Sequence, residues 1–287
     1  MKLAYFPGCS AHGTGIEQDI STRAVCAALG VGLHELEDWN CCGSTAAHAI
    51  GDDLADSLGA RNLDIAARSG LDLLVPCAAC YANLTTAAAR YTMGSDSVSA
   101  EDRMPNVVSL PSLLAREEFL QRIHKGRKLD LAHLKAVSYY GCLLVRHGGE
   151  VQEKDPENPM FIDRITEICG ASVKDWSHKT TCCGGSLAIS SPDLTGELSL
   201  DIVEHAVRAG ANCVVTACPM CHMNLESQQW IKQHNKGRPS GSSEGLPVFY
   251  VTELVGLALG LPEISSCLKR HLIDPQSILR VRGVEHV

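Results

Sequence analysis

Short apolar runs alternate with helical periodicity along the chain, and the alternation occurs twice. Residues 3–6 and 136–140 read as strands, and a cysteine follows the end of each, Cys9 and Cys142. Helical patterns come next, over 16–29 and 161–169. Gly30 and Gly170 close them in the position where helices commonly stop. Second helical stretches over 51–68 and 193–208 run into 71–75 and 213–216, continuous apolar runs of the kind buried in parallel sheets. A Cys-x-x-Cys ends each of these strands and opens a further helix, and residues 107–110 and 248–251 predict one more strand per half. Strands alternating with helices specify an α/β fold with a mostly parallel sheet. Ligands bind such sheets at the carboxyl ends of the strands, and those ends carry Cys9, Cys77, Cys142 and Cys218. Residues 125–135, polar and basic, are the expected linker between domains at 1–128 and 129–287; residues 233–245 have loop composition.

The two halves are copies. Cys41, Cys42, Cys77 and Cys80 map onto Cys182, Cys183, Cys218 and Cys221 at a constant offset of 141, which Val107 and Val248 keep. Cys9 to Cys142 is 133, so the second copy holds extra residues before its cysteine pair, and the Pro- and charge-rich stretch 148–160 is the expected insertion. The offset predicts two halves of like fold, related by a pseudo-twofold axis, with both cysteine sets facing one cleft.

Composition narrows the chemistry. The chain has 287 residues, 45% hydrophobic and 20% charged, with net charge −8. That is globular composition, and it lacks the cationic excess that would neutralise nucleic-acid phosphates. The start, MKLAYFPGCS, breaks at Pro7 and Gly8 before a signal-peptide core can form, and no stretch approaches the roughly 20 apolar residues of a spanning helix. The expectation is a cytoplasmic protein. Its 14 cysteines then point to metal or redox chemistry, because the cytosol keeps thiols reduced.

Each half offers five repeated cysteines. A structural zinc and a plain cubane cluster take four ligands each, so five suggest a larger or irregular iron–sulfur assembly. Two zinc sites with a spare thiol apiece, or a thioredoxin-like Cys-x-x-Cys, are the simpler alternatives. Adjacent cysteines point apart on an extended backbone; Gly43, Gly184 and Gly185 permit the bend that turns both toward one centre. A helix N-terminus at each Cys-x-x-Cys would favour thiolate charge. Cys26, Cys169, Cys213 and Cys267 lie outside the repeat and read as core residues. His12, His48, His147, His178, His205 and His222 lie near the cysteines; His222, beside Cys221, and His48 are the candidate proton donors. Arg146 and Lys179 flank the second motif, as solvated cations or as a grip on an anionic substrate.

The doubled pattern, together with AYFPGC, CCG and CPMCHMNL, resembles the cysteine-rich CCG-domain proteins, and specifically the B-type subunit of heterodisulfide reductase, over nearly the whole chain. The resemblance implies two duplicated α/β CCG domains, each five-cysteine motif holding a noncubane 4Fe–4S cluster, and a disulfide cleaved reductively between the two. Carried over position by position, Cys9, Cys41, Cys42, Cys77 and Cys80 would hold one cluster, and Cys142, Cys182, Cys183, Cys218 and Cys221 the other. The resemblance also implies two partners in the same complex, the ferredoxin-like C-type subunit and the flavin-containing A-type subunit. The sequence has neither a ferredoxin cysteine run nor a dinucleotide fingerprint of its own. CCG domains also serve as electron relays in lactate, glycolate and succinate oxidoreductases, and in that alternative residues 261–281 would meet a membrane surface. A zinc scaffold without activity is the third reading.

Overall fold

The computed structural model describes residues 1–94, 104–146, 155–235 and 245–279. The insertion expected over 148–160, the loop over 233–245 and the stretch 261–281 fall partly outside these residues, and His147 lies wholly outside them.

Both halves are parallel α/β sheets. The first half runs β1 (Lys2–Tyr5), α1 (Ile16–Ala28), β2 (Gly32–Glu35), α2 (Ala46–Ile50), α3 (Asp52–Arg68), β3 (Leu73–Val75), α4 (Ala78–Gly94), β4 (Val107–Ser109), α5 (Leu110–Leu114) and α6 (Glu117–Gly126). The second runs β5 (Lys135–Tyr139), α7 (Phe161–Ile168), β6 (Ser172–Val173), α8 (Pro192–Arg208), β7 (Cys213–Thr216), α9 (Pro219–Asn235), β8 (Val248–Tyr250), α10 (Val251–Leu259), α11 (Glu263–Leu268) and α12 (Gln276–Leu279). Among the described residues the sheets have the orders β2-β1-β3-β4 and β6-β5-β7-β8, with every pairing parallel.

Six of these strands follow the apolar runs, because the central strands β3 and β7 are buried at every residue. The other two, β2 and β6, have no such run. Both lie at sheet edges, β2 (Gly-Leu-His-Glu) largely exposed and β6 partly so. The helices α1 and α7 stop as expected. The amide of Val31 reaches Cys26 O at 2.8 Å beyond Gly30, and that of Ala171 reaches Thr166 O at 3.3 Å beyond Gly170. The expected polar linker is mostly exposed and is anchored by Leu131 and Leu134, which are fully buried, and by the Lys128 amide, which donates to Ala258 O at 2.7 Å.

The halves pack reciprocally. Helices α10 and α11 of the second half cover α1 of the first, while α5 and α6 of the first cover α7 of the second. This is the exchange a pseudo-twofold relation requires. One hydrophobic core runs through both halves, joining Leu3, Tyr5 and Val25 to Val137, Val214 and Leu254. Every residue of α10 is buried.

At the junction, the buried Gln18 amide donates to Pro76 O at 3.2 Å and to Ala217 O at 2.5 Å. These carbonyls immediately precede Cys77 and Cys218, so one side chain ties both Cys-x-x-Cys corners together. Gln18→Ala strands two buried acceptors, and each unsatisfied group costs about 1–3 kcal/mol. Urea unfolding should show a free energy of unfolding lowered by that order, and an unchanged value would mean the carbonyls find other donors.

Candidate functional site

The ten repeated cysteines converge at the carboxyl edge of both sheets. Cys9 opens a short 3-10 turn after β1, and Cys41 and Cys42 lie in the loop between β2 and α2. Cys77 stands between β3 and α4, with Cys80 in the first turn of that helix. Cys142, Cys182, Cys183, Cys218 and Cys221 hold the equivalent places after β5, before α8 and at β7–α9. The Tyr81 amide donates to Cys77 O at 2.9 Å and the His222 amide to Cys218 O at 2.9 Å, so both helices start at the cysteine itself. Their amino-terminal dipoles favour thiolate charge there.

Within the first half the thiols form a continuous chain. Cys9 lies 3.8 Å from Cys41 and Cys42 lies 3.3 Å from Cys80; Cys41 bonds Cys42, and Cys80 bonds Cys77. In the second half Cys142 bonds Cys182, and Cys183 lies 3.5 Å from Cys221, which bonds Cys218. The two sets approach each other at the junction, where Cys218 pushes the Cys77 thiol up, Cys221 and then Cys77 lower that of Cys218, and Gln18 bridges the carbonyls that precede both. All ten are free thiols.

The backbone is shaped around the sulfurs. Gly8 (φ 78°) and Gly141 (φ 65°) each lie where an added Cβ would approach a sulfur, Cys80 Sγ or Cys221 Sγ, to 3.1 Å. No other residue combines that conformation with that space. The cysteine pairs bend at Gly43 (φ 85°) and Gly184 (φ 75°), whose amides donate to Cys41 Sγ at 3.5 Å and Cys182 Sγ at 3.3 Å. Gly185, the third glycine expected to bend there, is not in the left-handed region.

In the first half charge collects on one exposed thiol, Cys41, whereas in the second half Cys182, Cys183 and Cys218 are all lowered. Hydrogen bonds, first from Cys42 and then from Cys9, hold Cys41 down at about 2. The bond from Cys142 holds Cys182 at about 6. Cys9 and Cys142 are pushed well up by those same bonds and by burial. Five thiols gathered at one sheet edge per half, glycine cradles and helix N-termini form a donor set that fits an iron–sulfur cluster in each half. The thiols outside the repeat contrast with these: Cys26, Cys169, Cys213 and Cys267 are buried, and desolvation raises each of them.

Two asparagines that cysteine spacing does not single out anchor the pairs. Asn83 Nδ2 donates to Cys42 O, and Asn224 Nδ2 to Cys183 O at 3.3 Å. Their signal is the Asn-Leu that closes each Cys-x-x-Cys stretch at the same offset.

A cavity of about 130 Å³ opens between the halves, lined by Cys142, Cys182, Cys183, Cys218 and Cys221 and, from the first half, Ser44, Thr45 and Ala78. A second cavity of about 370 Å³ shares Ser44, Thr45, Leu143 and Ser186 with it and is lined further by His48, Asn83 and Arg90. His48 bonds Asp52 Oδ1 at 3.0 Å and Asn83 Oδ1 at 2.8 Å, and these bonds raise its pKa, that to Asp52 first. His222 lines neither cavity. It is 3% exposed, with its ring stacked on Tyr250 at 4.2 Å. His12 stacks on Trp39, and His178 on His205 beside Asp201.

Lys179 corrects both sequence readings, because it is neither solvated nor free to grip a substrate. It is 4% exposed and ion-paired to Asp163 at 3.0 Å. Arg146 is half exposed and bonded to Glu157 and Thr180.

Comparison with known proteins agrees with this duplication. The family described as CCG, cysteine-rich domain, matches residues 3–85 and again 136–226. The 8-methylmenaquinol:fumarate reductase membrane anchor subunit of Wolinella succinogenes is 32% identical over 95% of this chain and 97% of its own. The B-type subunit of the ferredoxin/F420H2-dependent CoB-CoM heterodisulfide reductase of Methanosarcina acetivorans is 28% identical over 90% of this chain and 89% of its own. A crystal structure of a hypothetical protein from Helicobacter pylori shares the fold, with TM-score 0.71 at 12% identity, covering 95% of this chain and 52% of that one. Among the described residues no helix is long and apolar enough to cross a membrane.

Proposed function

Because the chain belongs to the cysteine-rich CCG domain family, in duplicate, we propose that it is the iron–sulfur subunit of an oxidoreductase complex acting on a disulfide or thiol substrate between two noncubane 4Fe–4S clusters. Two domains, 1–128 and 129–287, each supply five thiolates: Cys9, Cys41, Cys42, Cys77 and Cys80 for one cluster, and Cys142, Cys182, Cys183, Cys218 and Cys221 for the other. When bound, the clusters supply electrons one at a time. A disulfide takes up two electrons and two protons to give two thiols, so a pair of one-electron centres matches the substrate; the reverse direction oxidises two thiols.

The chain's own residues account for the rest. The cavity between the halves opens a sulfur group's path to the second cysteine set, with Ser44, Thr45 and Ala78 facing it from the first half and Leu143 and Met220 as apolar walls. His48, in the adjoining cavity and on the raised side of its usual pKa, is the proton source in this reading. The burial of His222 gives it no path to the same role. Electrons come from the ferredoxin-like C-type subunit and the flavin-containing A-type subunit of the complex, or leave to them. The observation that carries the proposal is the convergence of the two five-thiol sets at the Cys77 and Cys218 corners, which Gln18 ties together beside a cavity lined from both halves.

The similarity to a fumarate reductase subunit favours a second reading, an electron relay with no thiol substrate. One experiment separates the two. Under the first, adding substrate thiol to oxidised, cluster-loaded protein changes its electron paramagnetic resonance spectrum, and sulfur-isotope substitution in the thiol perturbs the new signal. A spectrum indifferent to every thiol tried, with both clusters intact, selects the relay.

A further inference from the structure

Behind the second cysteine set lies an ionisable cluster that the proposed chemistry does not use. His222 and Glu226 project from α9, Glu253 from α10, and His271 from the segment between α11 and α12. His271 has a fully buried side chain, with Nδ1 3.1 Å from Glu226 Oε1 and Nε2 3.0 Å from Glu253 Oε1. The ring of His222 meets that of His271 edge-on, with centroids 4.8 Å apart. Its Nε2 is buried and has no hydrogen-bond partner. One ligand atom from each of His222, Glu253 and His271 lies within 4.8 Å of the others.

We propose that His222, His271 and Glu253 bind one zinc ion that pins the C-terminal segment to α9 and α10. Three arguments support the assignment. A buried imidazole nitrogen without a partner is costly unless something fills it, and a cation facing His222 Nε2 does so. Glu226 is already placed to hold His271 as metal-binding histidines are held, accepting from Nδ1–H so that Nε2 is left for the metal. Glu253 is half committed in the same way: its Oε2 accepts from the Tyr250 amide at 2.9 Å, leaving Oε1 on the cation side. Binding displaces the proton shared by His271 Nε2 and Glu253 Oε1 to solvent, and the three atoms draw in to about 2.0–2.1 Å from the ion. The cluster is not imposed by the repeat. At the 141-residue offset the first half has Tyr81, Thr85 and Ser112 in place of His222, Glu226 and Glu253.

The test uses the full chain, purified anaerobically with its iron, equilibrated with zinc chloride and freed of excess. Zinc K-edge absorption should show nitrogen and oxygen scatterers at about 2.0–2.1 Å without a sulfur shell near 2.3 Å. Glu253→Gln and His271→Gln should remove this zinc and leave the iron content unchanged. Glu226→Gln, which keeps all three ligands, should weaken zinc binding by about 10–100-fold with an unaltered circular dichroism spectrum. The proposal is overturned by failure to bind zinc, by zinc bound only to sulfur, or by nitrogen- and oxygen-bound zinc that survives these substitutions, as an ion at His178, Asp201 and His205 would. If a ligand variant also loses iron, Glu226→Gln decides: unchanged zinc affinity there rejects the site.

Discussion

Cys41→Ala is expected to lower bound iron and acid-labile sulfide to about half, with the second cluster still in place, because a metal site assembled by folding fails when a ligand in its chain is lost. Cys41 is the link between Cys9 and the buried Cys42, and its thiol is held lowest in the first half. Its connection to the second set passes only through Cys42, Cys80 and Cys77, so the disturbance should stop at the junction. Cys182→Ala should give the mirror result and the double variant almost no iron, whereas Cys26→Ala, outside the site, should keep both clusters. Turnover of a disulfide should vanish in either single variant, since each lacks one of the paired one-electron centres. Metal analysis with Mössbauer spectroscopy reads the outcome. Equal loss from both halves in a folded Cys41→Ala protein would mean that the ten thiols serve one shared centre.

The parts of the fold written in apolar runs are legible in the sequence, and those written in polar geometry are not. The buried strands β3 and β7 and the repeated cysteines announce themselves as continuous Leu and Val runs and as an offset that does not drift. The edge strands β2 and β6 carry no such run, because an edge exposed to solvent needs none. The site divides in the same way. Spacing alone brings out the cysteines, but not that Asn83 and Asn224 hold the cysteine-pair carbonyls, since an asparagine's partner lies about 41 residues away and is fixed only by packing of α4 and α9. His222 stands out in the sequence for being next to Cys221. On a helix, however, adjacent residues face different directions, and the turn that aims Cys221 at the sulfurs aims His222 at Tyr250 and His271. Lys179 reads as a surface cation because nothing in the local sequence reveals Asp163 beneath it.

That buried pair sets the largest expected stability effect. Lys179→Met should destabilise the protein by about 3–5 kcal/mol, the typical cost of leaving one member of a buried ion pair uncompensated. The side chains of Lys179 and Asp163 are 5% and 2% exposed, so water cannot replace the lost partner. Lys179 Nζ also reaches Pro159 O and Met160 Sδ, and Asp163 Oδ2 accepts from the Tyr140 hydroxyl, which in turn accepts from the Ile162 amide at 2.8 Å. The Lys179 carbonyl closes the network, accepting from the Tyr140 and Gly141 amides at 2.8 and 3.2 Å. Tyr140 and Gly141 lead directly into Cys142, and Lys179 to Thr181 lead into Cys182, so iron should be lost from the second half before the first. Replacing both partners, Lys179→Met with Asp163→Leu, should restore most of the stability, because removing both charges also removes their desolvation cost. Urea unfolding of the two singles and the double gives the coupling energy directly. A Lys179→Met cost below about 1 kcal/mol, the range of exposed pairs, would mean that solvent reaches Asp163 and that the pair does not brace the second cysteine loop.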